Sequence, residues 1–268
     1  MFAGFDLTVD LENFEAYVNH GRSIQNAHKK SFESKLDSFK DADGVLEADK
    51  IIEEWFPPVE DAQVFLSHSH KDEEGIIGLS GWLNAKLGLN CFIDSCIWGY
   101  SNKLLRLIDN AHCYNDDKSF YNYSDRNRST SHVHMMLSTA LSKTMDTCES
   151  IFFVNTPNSI QVDKYIKGKS NTDSPWIFSE IAMTKLLRRR TRESHRRTMA
   201  IALDSITGNQ SFESIEERSY INFPVDISHL KSISDMDLRK WAKLQSETPK
   251  KYSLDHLYEQ KFGGNLLG

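Results

Sequence analysis

Three groups of polar and aromatic side chains lie where they could do chemistry. The first is residues 67–73 (SHSHKDE), which directly follow the short apolar segment 62–66. Donors and acceptors placed after a buried strand lie at the sheet edge where α/β proteins bind ligands. An ordinary strand-to-helix turn, capped by a serine or an aspartate, accounts for the same residues.

The second group is Trp176 and Glu180, four residues apart on a predicted helix. This spacing puts both side chains on one helix face. Glu180 falls within the first turns, where the helix dipole favours a carboxylate. The indole could stack on a flat ring while the acid contacts a ribose. A core tryptophan beside a solvent-exposed glutamate fits the pattern equally well.

The third group is residues 92–99 (FIDSCIWG), in which a predicted strand ends at Asp94 and leads into a loop carrying Trp98. A tryptophan exposed on a loop indicates recognition of a ligand or partner. A tryptophan packed on the sheet edge is an equally good interpretation.

The elements that must position these groups alternate between strand and helix. The sequence predicts strands at residues 62–66, 90–93, 150–155 and 198–203, and helices at 79–87, 104–111, 134–146 and 176–188. Such alternation is typical of βαβ units around a parallel sheet. The right-handed crossover rule then brings the carboxyl ends of the strands, with their polar residues, to one edge.

Flanking segments have a different pattern. Residues 1–58 are predicted to form a helical extension, weakened at Gly21 and ended by Pro57-Pro58. Residues 114–131, rich in Asn, Asp, Ser and Arg, are predicted to be a long exposed loop. After a short strand at 221–225, residues 229–268 are predicted to form a helical tail, with helices at 235–245 and 254–262.

Composition excludes several classes of protein. The 268 residues include 39% hydrophobic side chains, enough for a core, and carry a net charge of −6, which argues against a whole-surface nucleic-acid binder. Neither a membrane-spanning apolar run nor a signal-peptide pattern is present. The four cysteines form no C-x-x-C pair. We therefore expect reduced thiols, no membrane association and a cytoplasmic location.

Two further patterns have ordinary explanations. Histidines at 68 and 70 and at 132 and 134 lack the spacing of a zinc finger, so no metal site is predicted. Residues 185–197 contain seven Lys or Arg and one Glu. This basic segment could contact phosphates or an acidic face of a neighbouring subunit. A solvated helix C-terminus explains it as well.

Taken in order, the three groups resemble the TIR (Toll/interleukin-1 receptor) domain family, especially its bacterial members. The resemblance runs over residues 61–228 and rests on FLSHSHKD, on FIDSCIWG with the following YSNKLLRLID, and on SIFFVNTPNS with SPWIFSEI. In the family, the second strand ends in Phe-x-Asp and enters the BB loop, whose closing glycine corresponds to Gly99. The resemblance implies a flavodoxin-like α/β fold.

The resemblance also implies an activity, cleavage of NAD at the nicotinamide–ribose bond. Glu180 corresponds to the catalytic glutamate of the family and Trp176 to its neighbour on the same helix. Ser67, His68, Asp94 and Trp98 would line the pocket. NAD is the substrate, and no cofactor is expected. Nicotinamide leaves from a cationic ring and needs no general acid, whereas the developing oxocarbenium ion needs a nearby carboxylate.

The same resemblance implies partners and a biological role. TIR domains commonly assemble side by side, and the BB loop of one chain can complete the site of its neighbour. We expect homotypic assembly, with a sensor or effector as a further partner, in antiphage defence or immune-like signalling. The product could be linear or cyclic ADP-ribose. Two alternatives stay open: a non-catalytic TIR scaffold, and a nucleoside deoxyribosyltransferase-like enzyme. The roles of residues 1–58 and 114–131 are also open.

Overall fold

The computed structural model describes residues 1–28, 36–56, 61–115, 117–162, 170–199 and 221–263. Its strands are β1 (Ala3–Thr8), β2 (Val64–Ser67), β3 (Cys91–Ile93), β4 (Ser150–Val154), β5 (Gln161–Val162), β6 (Ser170–Thr172), β7 (Phe223–Val225) and β8 (Lys231–Ser234). Its helices are α1 (Val18–His28), α2 (Ala48–Trp55), α3 (Glu73–Leu87), α4 (Ser95–His112), α5 (Tyr123–Thr147), α6 (Pro175–Leu186), α7 (Arg192–Met199), α8 (Asp235–Glu247) and α9 (Leu254–Phe262).

A central five-stranded sheet has the order β3-β2-β4-β1-β8, and every pair in it is parallel. The predicted α/β class with a central parallel sheet is confirmed. The positions β3-β2-β4 follow the 2-1-3 arrangement that begins a flavodoxin-like sheet. The chain leaves β2 toward β3 on one side and returns to β4 on the other. The order therefore reverses between β2 and β4, where such sheets bind ligands.

Helices cover both faces of this sheet. On one face, apolar side chains of β1, β2 and β4 pack with those of α3, α8 and α9. On the other face, β2, β3 and β4 pack against α2, α4 and α5. Helix α6 joins that second face through a smaller cluster with β4. Strands β2 and β4, in the middle of the sheet, are buried on both sides, and their sequences are almost continuously apolar, as in SIFFV of β4.

The sequence-based expectation that residues 1–58 are helical is wrong at β1, which lies between β4 and β8 in the sheet. Ala3, Phe5 and Leu7 alternate along β1 and are almost fully buried, which is the period of a strand rather than a helix. Strand β8 likewise comes from the segment predicted as a helical tail. The central sheet thus draws strands from all three segments of the predicted division.

Helix α1 continues through Gly21, so the predicted weakening there is also wrong. A Cβ atom at Gly21 would overlap the carbonyl oxygen of Ile77 on α3. At Gly78, a Cβ atom would lie 2.6 Å from the carbonyl oxygen of Phe14. The two glycines allow α1 and the preceding turn to lie against α3 at a distance that a larger residue would not permit.

Several predicted boundaries are confirmed and others shift. Helix α3 ends at Gly88 in the left-handed conformation, and α8 and α9 form where predicted. Residues 95–99, expected in a loop, begin α4. The second half of the predicted loop 114–131 belongs to α5, because the Asn122 side chain caps that helix by accepting from the N–H groups of Ser124 and Asp125.

Other predictions fall at the margins of the described residues. Pro57-Pro58 lies outside them, as do residues 200–203 of the predicted fourth strand, whose first two residues end α7. The strand predicted at 221–225 is β7. It belongs to a second, antiparallel sheet, β5-β6-β7, rather than to the central one.

We expect Gly78→Ala to lower the free energy of unfolding by about 1–3 kcal/mol, the usual cost of overpacking. Helix propensity alone has the opposite sign, because alanine in place of a helical glycine stabilises by about 1 kcal/mol. Ala85→Gly, at an exposed position of α3, measures that propensity in the same helix. Urea denaturation of the three proteins compares them. An increase in stability in Gly78→Ala would show that the contact with Phe14 is not tight.

Candidate active site

The carboxyl ends of β2 and β3 bring three predicted residues together. Ser67 is the last residue of β2 and lies on the same face as Phe65, since alternate residues share a face. His68 follows it, and Asp94 follows β3 directly. All three side chains are buried. The parallel register, in which Leu66 pairs with Ile93, makes the two strand ends neighbours.

Helix α6 supplies the fourth residue, Glu180. Ser174 caps the helix, because its hydroxyl accepts a hydrogen bond from the N–H of Ile177. Pro175 is the first residue of the helix, a position at which the missing N–H of proline costs no hydrogen bond. Ile177 and Ile181 pack on β4. Glu180, one residue before Ile181, is only 3% exposed, and its Oε2 accepts a hydrogen bond of 2.5 Å from the Ser67 hydroxyl.

His68 and Asp94 form a buried ion pair beside this carboxyl group. The distance from His68 Nδ1 to Asp94 Oδ1 is 2.7 Å, and the same nitrogen lies 3.3 Å from the carbonyl oxygen of Leu66. Asp94 Oδ1 also accepts from the N–H of Ser95 at 2.9 Å, which anchors the carboxylate at the start of α4. The imidazole is therefore fixed through one of its two nitrogens.

Burial and Asp94 together set the protonation of the cluster. Burial, followed by the charge of Asp94, holds the pKa of Glu180 well above its usual range, although the Ser67 hydroxyl works against this rise. This outcome opposes the expectation that the helix dipole favours the carboxylate. Burial lowers the pKa of His68, but Asp94 outweighs it and the net pKa is raised.

Two atoms of the cluster have no hydrogen-bond partner among the described residues. They are Glu180 Oε1 and His68 Nε2, and both are buried. Leaving a buried polar atom unpaired typically costs about 1–3 kcal/mol, so native structures keep few of them without a reason. The two atoms are positions at which a ligand or a reacting water would gain a partner.

A second polar contact lies where the strand order reverses, and the sequence did not indicate it. Asp72, in the turn after β2, accepts hydrogen bonds from the Thr156 hydroxyl at 2.5 Å and from the Asn158 side chain at 2.6 Å. Thr156 and Asn158 lie just after β4, within the SIFFVNTPNS motif. The contact could have been predicted from the topology, because the turns after β2 and β4 both follow parallel strands and lie at the same edge of the sheet.

Strand β1 adds a further carboxyl group to this edge. Asp6 alternates with the buried Phe5 and Leu7, and its Oδ1 accepts from the Asn155 side chain at 3.1 Å. Burial raises the pKa of Asp6. The alternation of apolar residues in AGFDLT is typical of a strand, but the sequence analysis assigned these residues to the helical extension 1–58.

The two predicted tryptophans are placed differently from the polar residues. Trp176 is half-buried and packs edge-to-face on His134 of α5, with ring centroids 5.8 Å apart. His134 is exposed, but Trp176 also packs against the apolar cluster on this face of the sheet, which supports its alternative interpretation as a packing residue. Trp98 lies in the first turns of α4, not in a loop, and its side chain lies outside the described structure.

The basic segment 185–197 is largely paired within the chain. Lys185 contacts Asp226, Arg190 contacts Asp146, Arg192 contacts Asp255, and Arg196 contacts both Glu149 and Asp255. The Arg196 side chain is 10% exposed and that of Glu149 is 2% exposed. Acidic side chains of the same chain thus neutralise four of the basic side chains that could have contacted phosphates or a neighbouring subunit.

Comparison with known proteins finds no match among family models, curated proteins or solved structures. Across the described ranges, no helix is long and apolar enough to cross a membrane. Within those same ranges, no three His, Cys, Asp or Glu side chains converge in a way that could hold a metal ion.

Replacing Arg196 by methionine should lower the free energy of unfolding by about 3–5 kcal/mol, because it leaves the Glu149 carboxylate buried without its partner. Arg189→Met is the control, since Arg189 is exposed in the same segment and should change stability by less than about 0.5 kcal/mol. Chemical denaturation at neutral pH measures both. Equal, small effects would mean that the pair contributes little to stability.

The raised pKa of Glu180 predicts a pH-dependent gain in stability for Glu180→Gln. Below the ordinary glutamate pKa, both folded and unfolded wild type hold the proton, so the two proteins should be equally affected by pH. Between the ordinary glutamate pKa and the raised pKa of the folded state, the unfolded wild type loses this proton while the folded wild type keeps it. Over that range the stability of wild type relative to the variant should fall by up to about 1.4 kcal/mol per pH unit.

Denaturation curves of wild type and Glu180→Gln from pH 4 to pH 8 measure this difference. Glu53→Gln, at an exposed position of α2, removes a carboxyl group without altering the cluster and serves as the control. A stability difference that does not change with pH would contradict the burial of an ionisable group at residue 180.

Proposed function

We propose that this protein is a TIR-domain enzyme that cleaves NAD at the nicotinamide–ribose bond. The observation that carries the proposal is the buried carboxyl group of Glu180, with one oxygen bound by Ser67 and the other unpartnered among the described residues, at the edge where this fold class binds ligands. The sequence motifs that resemble the TIR family supply the same four residues, Ser67, His68, Asp94 and Glu180.

The chemistry of the reaction fits one carboxyl group held in this way. When the bond between the nicotinamide nitrogen and the ribose breaks, its electron pair goes to nicotinamide, which leaves as a neutral base. Positive charge develops on the ribose ring. Glu180 stabilises that charge, and its unpartnered oxygen can accept a hydrogen bond from a ribose hydroxyl. A carboxylate acts more strongly on this charge in a buried site than in water.

The protonation of Glu180 also responds to the substrate. Burial, followed by the charge of Asp94, raises the pKa of Glu180 and favours the protonated acid in the free protein. A cationic nicotinamide ring brought against the cluster offsets the charge of Asp94 and favours the ionised form. Because the ionised form is the one that stabilises the developing cation, the rate of nicotinamide release should rise with pH through the raised pKa of Glu180.

The remaining predicted residues have supporting roles in this proposal. Ser67 orients Glu180 and Asp94 holds His68. Trp98 would supply aromatic surface for the nicotinamide or adenine ring, whereas Trp176 packs against the core and positions the helix of Glu180. NAD is the substrate, and no cofactor is required. Homotypic assembly, a sensor or effector partner, and a cytoplasmic role in antiphage defence or immune-like signalling follow from the family resemblance alone.

We expect the purified protein to release nicotinamide from NAD, and Glu180→Gln to do so at least about 10²-fold more slowly, since it retains the shape but not the charge of the acid. Chromatography with mass detection identifies nicotinamide and the ADP-ribose product. Protein concentration should be varied widely, because a site completed by a neighbouring chain is inactive when dilute. Glu53→Gln is the control.

The alternatives give different outcomes in the same experiment. If the wild type releases no nicotinamide at any protein concentration, the result favours the non-catalytic scaffold. Turnover of deoxynucleosides but not of NAD favours the deoxyribosyltransferase-like enzyme. Equal NAD cleavage by wild type and Glu180→Gln would show that Glu180 is not the catalytic residue.

A further inference from the structure

We propose that His68 is the general base that takes a proton from the water attacking the ribose, so that it controls capture of the intermediate and not cleavage of the bond. This inference rests on the proposed function, which assigns bond cleavage to Glu180. Glu180 thus acts in cleavage of the nicotinamide–ribose bond, and His68 acts in the later attack of water.

The neighbours of the imidazole fix which nitrogen carries the proton. His68 Nδ1 lies 2.7 Å from the Asp94 carboxylate and 3.3 Å from the carbonyl oxygen of Leu66. Both neighbours are acceptors, so Nδ1 must be the donor. In the neutral ring the lone pair therefore lies on Nε2. A carboxylate that holds a histidine in this tautomer is the arrangement found in established catalytic bases.

The lone pair on Nε2 is unused by the fold. His68 is 4% exposed, yet Nε2 has no hydrogen-bond partner among the described residues. Glu180 Oε1 is unpartnered in the same way, and Glu180 and His68 both interact with Asp94. A water molecule bound at Nε2 would give this nitrogen the partner that the fold does not supply, and water is the molecule that hydrolysis requires.

The balance of the reaction shows why only one of the possible captures needs a base. When water attacks the ribose cation, a carbon–oxygen bond forms and the water must lose a proton, which passes to His68 Nε2. When a ring nitrogen of adenine or free nicotinamide attacks, a neutral lone pair forms the bond and no proton is removed in that step. His68 should therefore matter for hydrolysis and not for nicotinamide exchange.

The charged groups around His68 set the direction of its pH dependence. Asp94, before α4, and Glu73, at the start of α3, both raise the pKa of His68, while Glu180 on α6 shares Asp94 with it. Since Nε2 must be unprotonated to act as a base, hydrolysis should increase with pH relative to exchange, and then level off once the ring is neutral.

The test measures two reactions of one intermediate. Wild type, His68→Gln and His195→Gln are incubated with NAD and isotopically labelled nicotinamide, and both ADP-ribose formation and label incorporated into NAD are recorded. His195 is a matched control, because it too is buried, with Nδ1 3.0 Å from a carbonyl oxygen and Nε2 unpartnered, but it binds α7 to the end of α5 through Thr147 and lacks a carboxylate.

We expect His68→Gln to lower ADP-ribose formation by about 10²-fold or more, the usual contribution of a general base, while exchange stays within about threefold of wild type. His195→Gln should change neither rate relative to the other. Unchanged hydrolysis in His68→Gln, or an equal fall in both reactions, overturns the inference.

The wild type alone gives a second test that does not depend on a variant folding. Its ratio of hydrolysis to exchange should rise with pH and then level off, and a ratio independent of pH overturns the inference. Nicotinamide release without any ADP-ribose also overturns it, while leaving the proposed function standing. Absence of nicotinamide release from the wild type overturns the proposed function itself.

Discussion

Four buried polar side chains, Ser67, His68, Asp94 and Glu180, lie together at the carboxyl edge of the sheet, and their pairing is the interaction on which the site depends. The His68–Asp94 pair is buried with each group as the other's partner, because desolvation of an unpaired charge costs several kcal/mol, and burial of the Glu180 carboxyl is offset in part by the hydrogen bond from Ser67. Ser67 must therefore end β2 within hydrogen-bond distance of α6. The packing of α6 on β4 through Ile177 and Ile181 and the start of α4 after Asp94 hold these partners in place.

Much of this arrangement could be predicted because it depends on strand ends. Ser67, His68 and Asp94 directly follow apolar segments, and parallel strands bring such residues to one edge whatever their sequence separation. Glu180 could be placed with them only through the resemblance of its helix to a known motif. Nothing in the spacing of Trp176 and Glu180 says which neighbour each side chain meets, which is why the contact of Trp176 with His134 was not foreseen.

The errors have physical reasons of their own. Six residues of β1 are too few for their alternation to outweigh the helical pattern that follows, and β8 is shorter still. Residues 95–99 contain no strong helix signal apart from the Asp94 cap, so their helical backbone depends on tertiary context. Gly21 and Gly78 illustrate the same limit, since propensity penalises glycine in a helix but does not register a neighbouring backbone.

The position of β1 has a consequence for how the chain folds. Its partners are far away in sequence on both sides, with Ala3 beside Ser150 and Phe5 beside Lys231. Both edges of β1 therefore stay unpaired during synthesis until β4 and then β8 have emerged. Contacts of such long range are slow to form, and exposed apolar strand edges invite association with other chains. Completion of this sheet should be a late event in folding, and the nascent chain a natural client for chaperones.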